Sequence, residues 1–381
     1  MYKKVFSLII CAVIVLSAYI PAQAKSNIEV SARSAVLIEA ESLKVLSEKN
    51  PHEKRACASV TKVMTLLLVM EALDSGKLKL SDTLTSSKHS ASMGGSDIWL
   101  EEGEKMSVND LIKATAVASA NDAAVVLAEA ICGSEKTFVN EMNRRAKQLG
   151  MKHTVFKNCN GLDEDGHLTC AYDVALMSAE LIKHKKIFDY TSIWIDELRG
   201  GKTQIVNTNK LLKTYNGITG LKTGTTDDAG CCMSATAERD GLSLVAVVLG
   251  CKSGSERFAD SAALLDYGFS EYTVKKLSLP KNALKPVKVK GGMKETLYTR
   301  CENPGTMIVS RASGEKLLTE CKIKKDLQAP VKAGDTIGEV NYYSGKDLLK
   351  SCKIKAKNTI EKMTFHSVAS AVFKKMLSYS F

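Results

Sequence analysis

A run of six consecutive apolar residues, 244–249, places the strongest constraint on the fold of this chain. Its length suits one strand, and its continuous apolar character is typical of a strand buried on both faces. Further strands are predicted at residues 28–30 and 35–38, near the start, and at residues 230–237. Both ends of this region are therefore expected to contribute to one sheet.

Helical periodicity dominates the region between these strands. Helices are predicted at residues 59–73, 108–118, 122–132, 136–149 and 172–183, and one more at residues 257–267. This order predicts an α/β sandwich with an inserted helical subdomain. After about residue 275, short alternating segments separated by glycine-containing turns predict a small, β-rich C-terminal domain.

The first 24 residues have the pattern of a signal peptide. Lys3 and Lys4 precede an apolar stretch at residues 5–20, and Ala22-Gln23-Ala24 supplies a small-x-small cleavage site. The protein is therefore expected to be exported across the cytoplasmic membrane. It would act at the outer face of that membrane or in the cell wall or periplasm.

Positive charge is concentrated in the last third of the chain. From residue 271 onward there are 22 Lys and Arg against 10 Asp and Glu, whereas the preceding residues have 31 against 32. This distribution favours an anionic partner such as a lipid surface or a wall polymer. Nucleic acid is not expected, because no helix-turn-helix, zinc-finger or RNP signature is present and export argues against it.

Cysteine and histidine patterns reveal no metal motif. Ten cysteines follow the predicted cleavage site without CxxC pairs, which leaves disulfides and free buried thiols both open. The six histidines include no HExxH or similar ligand spacing. The sequence therefore predicts neither a metal nor a cofactor.

Ser59-Val60-Thr61-Lys62 is the first candidate catalytic motif. Residues three apart share one face of a helix, so Ser59 and Lys62 are within hydrogen-bonding reach. A neutral lysine can take the serine proton, and the helix N-terminus adds positive potential where an oxyanion would form. Such pairs are common on helices, so this motif alone is a weak signal.

Ser119-Ala120-Asn121 follows in a predicted loop between two helices. There the hydroxyl of Ser119 can relay a proton, and the amide of Asn121 can hold a substrate amide. The alternative is that one of these two side chains simply caps the following helix.

Lys222-Thr223-Gly224-Thr225 is the third motif. Gly224 allows close backbone approach to a ligand, the two hydroxyls can bind a carboxylate, and Lys222 adds positive charge. The alternative is an ordinary strand entry.

The three motifs together are far more specific than any one of them. SxxK, SxN and KTG in this order are the pattern of penicillin-binding proteins and class A β-lactamases. The chain also resembles the D-alanyl-D-alanine carboxypeptidase family along nearly its whole length, including residues 58–65, 118–124, 160–163, 207–212 and 220–230. Residues 275–357 resemble the β-rich C-terminal domain of that family.

This resemblance implies a β-lactamase/transpeptidase-like fold and an organisation in four parts. These are a signal peptide at residues 1–24, a penicillin-binding catalytic domain at 25–272, a β-rich domain at 273–357 and an amphipathic helix at 358–381. It also implies a serine-type carboxypeptidase that removes the terminal D-alanine from peptidoglycan pentapeptides. β-Lactams would inhibit such an enzyme covalently.

The resemblance also assigns roles to the motif residues. Ser59 would be the acylated nucleophile, Lys62 its base and Ser119 the proton relay, with Asn121 positioning the peptide amide. Lys222 would tune the electric field. Thr223 and Thr225, which flank Gly224, would hold the terminal carboxylate, and the backbone amides of Ser59 and Thr225 would form the oxyanion hole.

Three positions qualify this assignment. Arg257 matches a family arginine that would recognise the carboxylate, although a surface ion pair on a helix is the alternative. Thr225 stands where relatives often carry histidine; activity is expected to survive because its main role uses the backbone. Cys57 stands where proline is common, so it is either a thiol-sensitive position or a buried cysteine.

Other functions remain open for the same scaffold. A DD-endopeptidase would share all three motifs. A class A-like β-lactamase would carry a deacylating glutamate in an ExxLN pattern, which residues 158–163 lack. A non-catalytic wall-binding protein would be expected to have lost a motif residue.

The C-terminal segment has an amphipathic pattern. An apolar stripe spans roughly a 100° arc of a helical wheel, with Lys374 and Lys375 beside or opposite it; the stripe consists of Phe365, Val368, Ala369, Val372, Met376 and Tyr379. The pattern predicts a helix lying in the interface of an anionic membrane. Packing against the β-rich domain is the alternative.

Overall fold

The computed structural model describes residues 28–312, 317–345 and 347–370. The predicted signal peptide and residues 371–381 of the predicted C-terminal helix lie outside this range. The described chain divides into two compact units. One consists of residues 28–239 with 243–268, and the other of residues 240–242 with 269–370.

The first unit is built on a five-stranded sheet with the strand order β2-β1-β9-β8-β7. Strands of this unit are β1 (Ser34–Glu39), β2 (Val45–Lys49), β3 (Thr83–Thr85), β4 (Lys105–Ser107), β5 (Ile195–Leu198), β6 (Thr203–Val206), β7 (Ile218–Thr226), β8 (Gly230–Arg239) and β9 (Leu242–Cys251). The apolar run 244–249 thus lies in the central strand, where it pairs antiparallel with β1.

Helices cover both faces of this sheet. The helices of this unit are α1 (Lys62–Asp74), α2 (Lys88–Ala91), α3 (Val108–Lys113), α4 (Asn121–Cys132), α5 (Glu135–Gln148), α6 (Ala171–Leu181), α7 (Phe188–Thr191), α8 (Leu211–Thr214) and α9 (Gly254–Glu271). Val36 and Val247 join the core formed with the inserted helices, whereas Leu37 and Leu244 contact Gly268 of α9. Alternate residues of one strand therefore point to opposite helical layers, as an α/β sandwich requires.

The second unit has a four-stranded sheet with the order β13-β17-β16-β15 and two two-stranded sheets, β10-β14 and β11-β12. Its core includes Val340, Tyr342 and Ile354. The strands are β10 (Tyr272–Lys276), β11 (Val287–Lys288), β12 (Thr296–Leu297), β13 (Thr299–Cys301), β14 (Thr306–Ser310), β15 (Leu317–Ile323), β16 (Thr336–Ser344) and β17 (Asp347–Ala356).

Most predicted elements are present, with local differences. Residues 28–30 form no strand, and the helix predicted at 108–118 ends as a π-helical turn over Ala114–Ala118. The ten cysteines from Cys57 to Cys352 are all free thiols. Among the described residues, no helix combines the length and apolar character needed to cross a bilayer.

Candidate active site

The candidate nucleophile lies in a tight turn at the entrance to a buried helix. Ser59 is part of the 3₁₀ turn Ala58–Thr61, which runs directly into α1. The first turn of α1 contains no acidic residue, so the positive potential of its N-terminus is not offset locally. Ser59 is half-buried, whereas its neighbours Ala58 and Val60 are buried. The fold thus leaves the Ser59 hydroxyl accessible at a fixed position.

Lys62 is fully buried and contacts the candidate nucleophile directly. Its Nζ lies 3.0 Å from Ser59 Oγ, 2.6 Å from Asn121 Oδ1 and 2.7 Å from the carbonyl oxygen of Asn160. Burial lowers the pKa of Lys62 to about 7. The charges of Cys159 and Asp122 act in the opposite direction with smaller effect. Near neutral pH the amine can therefore lose its proton.

The three contacts define where the lone pair of a neutral Lys62 points. A neutral amine has two N–H groups and one lone pair. The two shorter contacts are to oxygens that can only accept, Asn121 Oδ1 and Asn160 O. Once both N–H groups are used there, the lone pair faces Ser59 Oγ. The Ser59 hydroxyl then donates to Lys62, as a general base requires.

The second motif lies beside Lys62, and its side chains do not act as helix caps. Asn121 is the first residue of α4, and the N-cap residue is Ala120, with no side-chain capping bond. Asn121 Nδ2 instead donates to the carbonyl oxygen of Gly94 at 2.6 Å. Ser119 adopts a left-handed conformation with φ of 65° and is buried. Its hydroxyl has no hydrogen-bond partner among the described residues, so it is available to a substrate.

The third motif lies on β7. Lys222 is buried and donates to the carbonyl oxygen of Thr223 at 3.0 Å. Burial holds the pKa of Lys222 well below its usual range, and the charges of Lys62 and Arg257 lower it further. Burial is thus the main cause of the lowered pKa of each lysine, and like charges on Lys62 and Lys222 also disfavour each other.

Two glycines allow the backbones around Ser59 to approach each other. A Cβ at Gly224 would lie 2.7 Å from the carbonyl oxygen of Cys57 and 2.9 Å from the amide nitrogen of Ser59. A Cβ at Gly161, whose φ is +87°, would lie 2.0 Å from the carbonyl oxygen of Ala58. Strand β7 and the loop containing Gly161 therefore enclose the nucleophile turn, and Gly224 places β7 beside the Ser59 amide.

Arg257 of α9 reaches the same strand. Its Nη1 donates to the carbonyl oxygen of Gly224 at 3.0 Å and to Thr225 Oγ1 at 2.8 Å. Its Nε is buried and has no partner among the described residues. The alternative of a surface ion pair is wrong, because Arg257 bonds β7 rather than a carboxylate of the described chain. Thr223 Oγ1 is 2.6 Å from Thr208 Oγ1, while Thr225 is exposed.

Some residues that contribute to the site lie outside the three motifs. Asn160 and Gly94 act through carbonyl oxygens, and Gly161 acts through the absence of a side chain. The resemblance quoted for residues 160–163 marked this segment without giving it a function. Cys57 is buried, and burial raises the pKa of its thiol to about 11, which favours the inert alternative over a thiol-sensitive position.

Comparison with known proteins shows similarity to one family along nearly the whole chain. A family model described as D-alanyl-D-alanine carboxypeptidase matches residues 21–253. Another, described as the C-terminal domain of penicillin-binding protein 5, matches residues 272–362. The chain is 40% identical to the D-alanyl-D-alanine carboxypeptidase DacF of Bacillus subtilis over 373 residues, which are 95% of this chain and 96% of that protein.

Solved structures give the same result. The fold is similar to that of penicillin binding protein 5 from Haemophilus influenzae, with a TM-score of 0.79 and 28% identity, over 88% of this chain and 99% of that one. It is also similar to penicillin-binding protein D2 from Listeria monocytogenes in its ampicillin-bound form. In that case the TM-score is 0.59 and the identity 35%, over 64% of this chain and 99% of that one.

Proposed function

The chain belongs to the D-alanyl-D-alanine carboxypeptidase family, and from this premise we propose how its own residues carry out the reaction. The enzyme is a serine-type carboxypeptidase that removes the terminal D-alanine from peptidoglycan peptides ending in D-Ala-D-Ala. The contact between Ser59 and the buried Lys62, at 3.0 Å, is the observation that carries the proposal.

In the first step the Ser59 oxygen attacks the carbonyl carbon of the penultimate D-alanine. Its proton passes to Lys62 Nζ, whose lone pair faces it. Negative charge develops on the carbonyl oxygen, which the backbone N–H groups of Ser59 and Thr225 would stabilise. The close approach of Gly224 to the Ser59 amide nitrogen supports this oxyanion hole, because Thr225 follows Gly224 directly on the same strand.

In the second step the peptide bond breaks and the terminal D-alanine leaves. Its nitrogen receives the proton that Lys62 took from Ser59, passed on through the Ser119 hydroxyl, which has no competing partner in the described chain. Asn121 positions the peptide amide, and Thr223, Thr225 and Arg257 hold the free carboxylate. Water then attacks the acyl carbon; Lys62 accepts a proton from the water and returns it to Ser59 Oγ as the ester bond breaks, which releases the shortened peptide and restores both groups.

The loop at residues 158–163 favours a peptidase over a class A-like β-lactamase. The latter needs a glutamate that activates water at the acyl-enzyme. The carboxylate of Asp163 instead accepts a hydrogen bond from Thr226 Oγ1 at 2.7 Å, and the loop meets Lys62 through the carbonyl oxygen of Asn160. A DD-endopeptidase would use the same groups, so assays on cross-linked peptides distinguish the two activities.

Substitution of the nucleophile tests the proposal. Ser59→Ala should abolish both labelling by fluorescent penicillin and D-alanine release from a pentapeptide, because no other serine has Lys62 as its base. The exposed Ser92→Ala is the matched control and should label normally. Mass spectrometry that located the penicillin adduct on any residue other than Ser59 would refute the assignment.

We further propose that the protein is exported and binds the membrane surface. Export rests on the signal pattern of residues 1–24, and membrane binding rests on the basic C-terminal third with its amphipathic end. Three apolar side chains near that end, Met363, Phe365 and Val368, are exposed in the described part. These support an apolar surface that contacts lipid rather than the β-rich unit.

A further inference from the structure

A cluster of two histidines and a cysteine lies in the first unit, apart from the residues assigned to catalysis. His52 follows β2, His153 follows α5, and Cys170 is the N-cap residue of α6. Each offers one ligand atom, and these atoms all lie within 4.8 Å of one another. Cys170 is buried, His153 is partly buried and His52 is exposed. The cluster thus opens from a buried sulfur towards solvent.

Backbone contacts hold the two histidine loops against the start of α6. The amide of His153 donates to Asp173 Oδ2 at 2.7 Å, and the amide of Tyr172 donates to the carbonyl oxygen of Pro51 at 3.0 Å. The Cys170 sulfur accepts from the amide of Asp173 at 3.4 Å. All three candidate ligands are therefore positioned by the same helix end, which reduces the ordering that a bound ion would require.

One ring nitrogen in this cluster lacks a partner. His153 Nδ1 is buried and makes no hydrogen bond within the described chain. The ring of His153 lies 5.3 Å from that of His52, which in turn contacts the Tyr172 ring edge to face at 5.2 Å. Buried polar atoms without partners are uncommon and often mark a bound water or ion.

We propose that His52, His153 and Cys170 form a binding site for a soft divalent cation, Zn²⁺. Imidazole and thiolate together select zinc over magnesium or calcium, which prefer oxygen ligands. Three protein ligands leave a fourth tetrahedral position for water, which the exposure of His52 allows. Sequence spacing does not reveal the site, because Cys170 is more than a hundred residues from His52 and no short motif contains the set.

Zinc binding at this site requires the Cys170 thiol to lose its proton, which costs free energy. Burial raises the pKa of the Cys170 thiol to about 12, so the cation must displace the thiol proton. In return the ion would join three segments, at the ends of β2 and α5 and at the start of α6. Zinc should therefore stabilise the folded protein as well as bind to it.

Titration of the metal-stripped mature protein tests the proposal. Calorimetry with Zn²⁺ should give one site per chain, and zinc at about 100 times its Kd should raise Tm by about 5 °C. Co²⁺ should give a thiolate charge-transfer band in the absorption spectrum. His52→Gln, which changes an exposed side chain, should weaken zinc binding by about 100-fold or more.

Control variants make the result specific to this cluster. His89→Gln removes another histidine of the same unit and should bind zinc like the wild type. Cys170→Ser keeps an oxygen at the helix N-cap but should lose the cobalt band, whereas Cys132→Ser should retain it. The proposal is overturned if the wild type binds no zinc, if His52→Gln binds it equally well, or if the cobalt band survives in Cys170→Ser.

Discussion

The two nearest oxygens around Lys62 Nζ, other than that of Ser59, are both uncharged. Asn121 Oδ1 and Asn160 O accept hydrogen bonds from Nζ but carry no formal negative charge, so they do little to offset the cost of a buried ammonium. The carboxylate of Asp122, one residue away, accepts from the amides of Ile98 and Leu100 instead. An asparagine at 121 therefore lets the base lose its proton near pH 7, whereas an aspartate would favour the protonated form.

The pH dependence of acylation should follow Lys62. Below pH 7 the amine is protonated and cannot accept the Ser59 proton, so the rate should rise with pH and reach half its maximum near the pKa of about 7. Asn121→Asp should move that midpoint upward by about one unit or more, because a nearby carboxylate favours the ammonium. Stopped-flow acylation by penicillin measures both profiles.

The exposed Asn140→Asp makes the same change of charge away from the site and should leave the midpoint in place. If the Asn121→Asp and wild-type midpoints coincide, Lys62 is not the base that limits acylation.

The two buried lysines should differ in their effects when removed. Lys62→Ala should stop acylation, because the proton acceptor is gone. Lys222→Ala should leave residual acylation with a higher pH optimum, because like charges disfavour each other and removal of Lys222 should let the pKa of Lys62 rise. Acylation rates of both variants across pH provide the measurement, and an unchanged rate in Lys62→Ala would contradict the assignment.

At the scale of elements, apolar patterning predicted the sheet centre and the long helices. The run 244–249 lies in β9. The helix predicted at 122–132 starts one residue later than α4 and ends with it, and the helix predicted at 136–149 is shifted by one residue from α5 at each end. Strand β7 was not among the predicted strands, although a strand entry was the alternative for Lys222-Thr223-Gly224-Thr225. Its sequence combines glycine, threonine and lysine without an apolar period, and antiparallel pairing with β8 makes it a strand.

The sequence predicted those parts of the site in which side chains perform the chemistry. Lys62 contacts Ser59, as the spacing of the first motif predicted, and it also contacts Asn121 of the second motif. Asn160 and Gly94 could not be found in this way, since a carbonyl oxygen is supplied by any residue and only the fold places it. The strand predicted at residues 28–30 is absent from the structure, because a pattern of three residues is too short to specify a strand.

Gly161 offers an element-scale test of the enclosed nucleophile turn. Gly161→Ala should lower Tm and reduce penicillin acylation by more than tenfold, because its Cβ would lie 2.0 Å from the carbonyl oxygen of Ala58. Gly150→Ala is the matched control: its φ is +76°, but nothing lies within 4 Å of an added Cβ. It should cost only about 1 kcal/mol of backbone strain.

Thermal unfolding and acylation rates of the two variants separate strain from steric clash. Equal acylation in Gly161→Ala and Gly150→Ala would mean that the loop can withdraw from Ser59 without consequence.

At the scale of the whole molecule, charge and apolar exposure are divided unequally between the two units. Residues 271–381 hold 22 Lys and Arg against 10 Asp and Glu, and the catalytic part is nearly neutral. The same region ends in apolar side chains that its core does not use, including Phe365 with 93% of its surface exposed. Ile360, by contrast, is buried in that core and pairs with Val331. The boundary between fold and surface segment therefore lies between these two residues.

Deletion of residues 365–381 should release the protein from membranes without damaging either unit. The cut keeps Ile360 and the bond from the Met363 amide to the carbonyl oxygen of Gly291, which a deletion from residue 360 would destroy. The truncated protein should be acylated by penicillin at the wild-type rate and sediment several-fold less with anionic liposomes.

Salt alone should release the full-length mature protein from membranes only partly, because apolar burial and lysine attraction act together. Neutral liposomes, which lack the electrostatic contribution, serve as the control and should retain less of the full-length protein. Equal sedimentation of the two proteins with anionic liposomes would show that the C-terminal segment packs on its own domain instead.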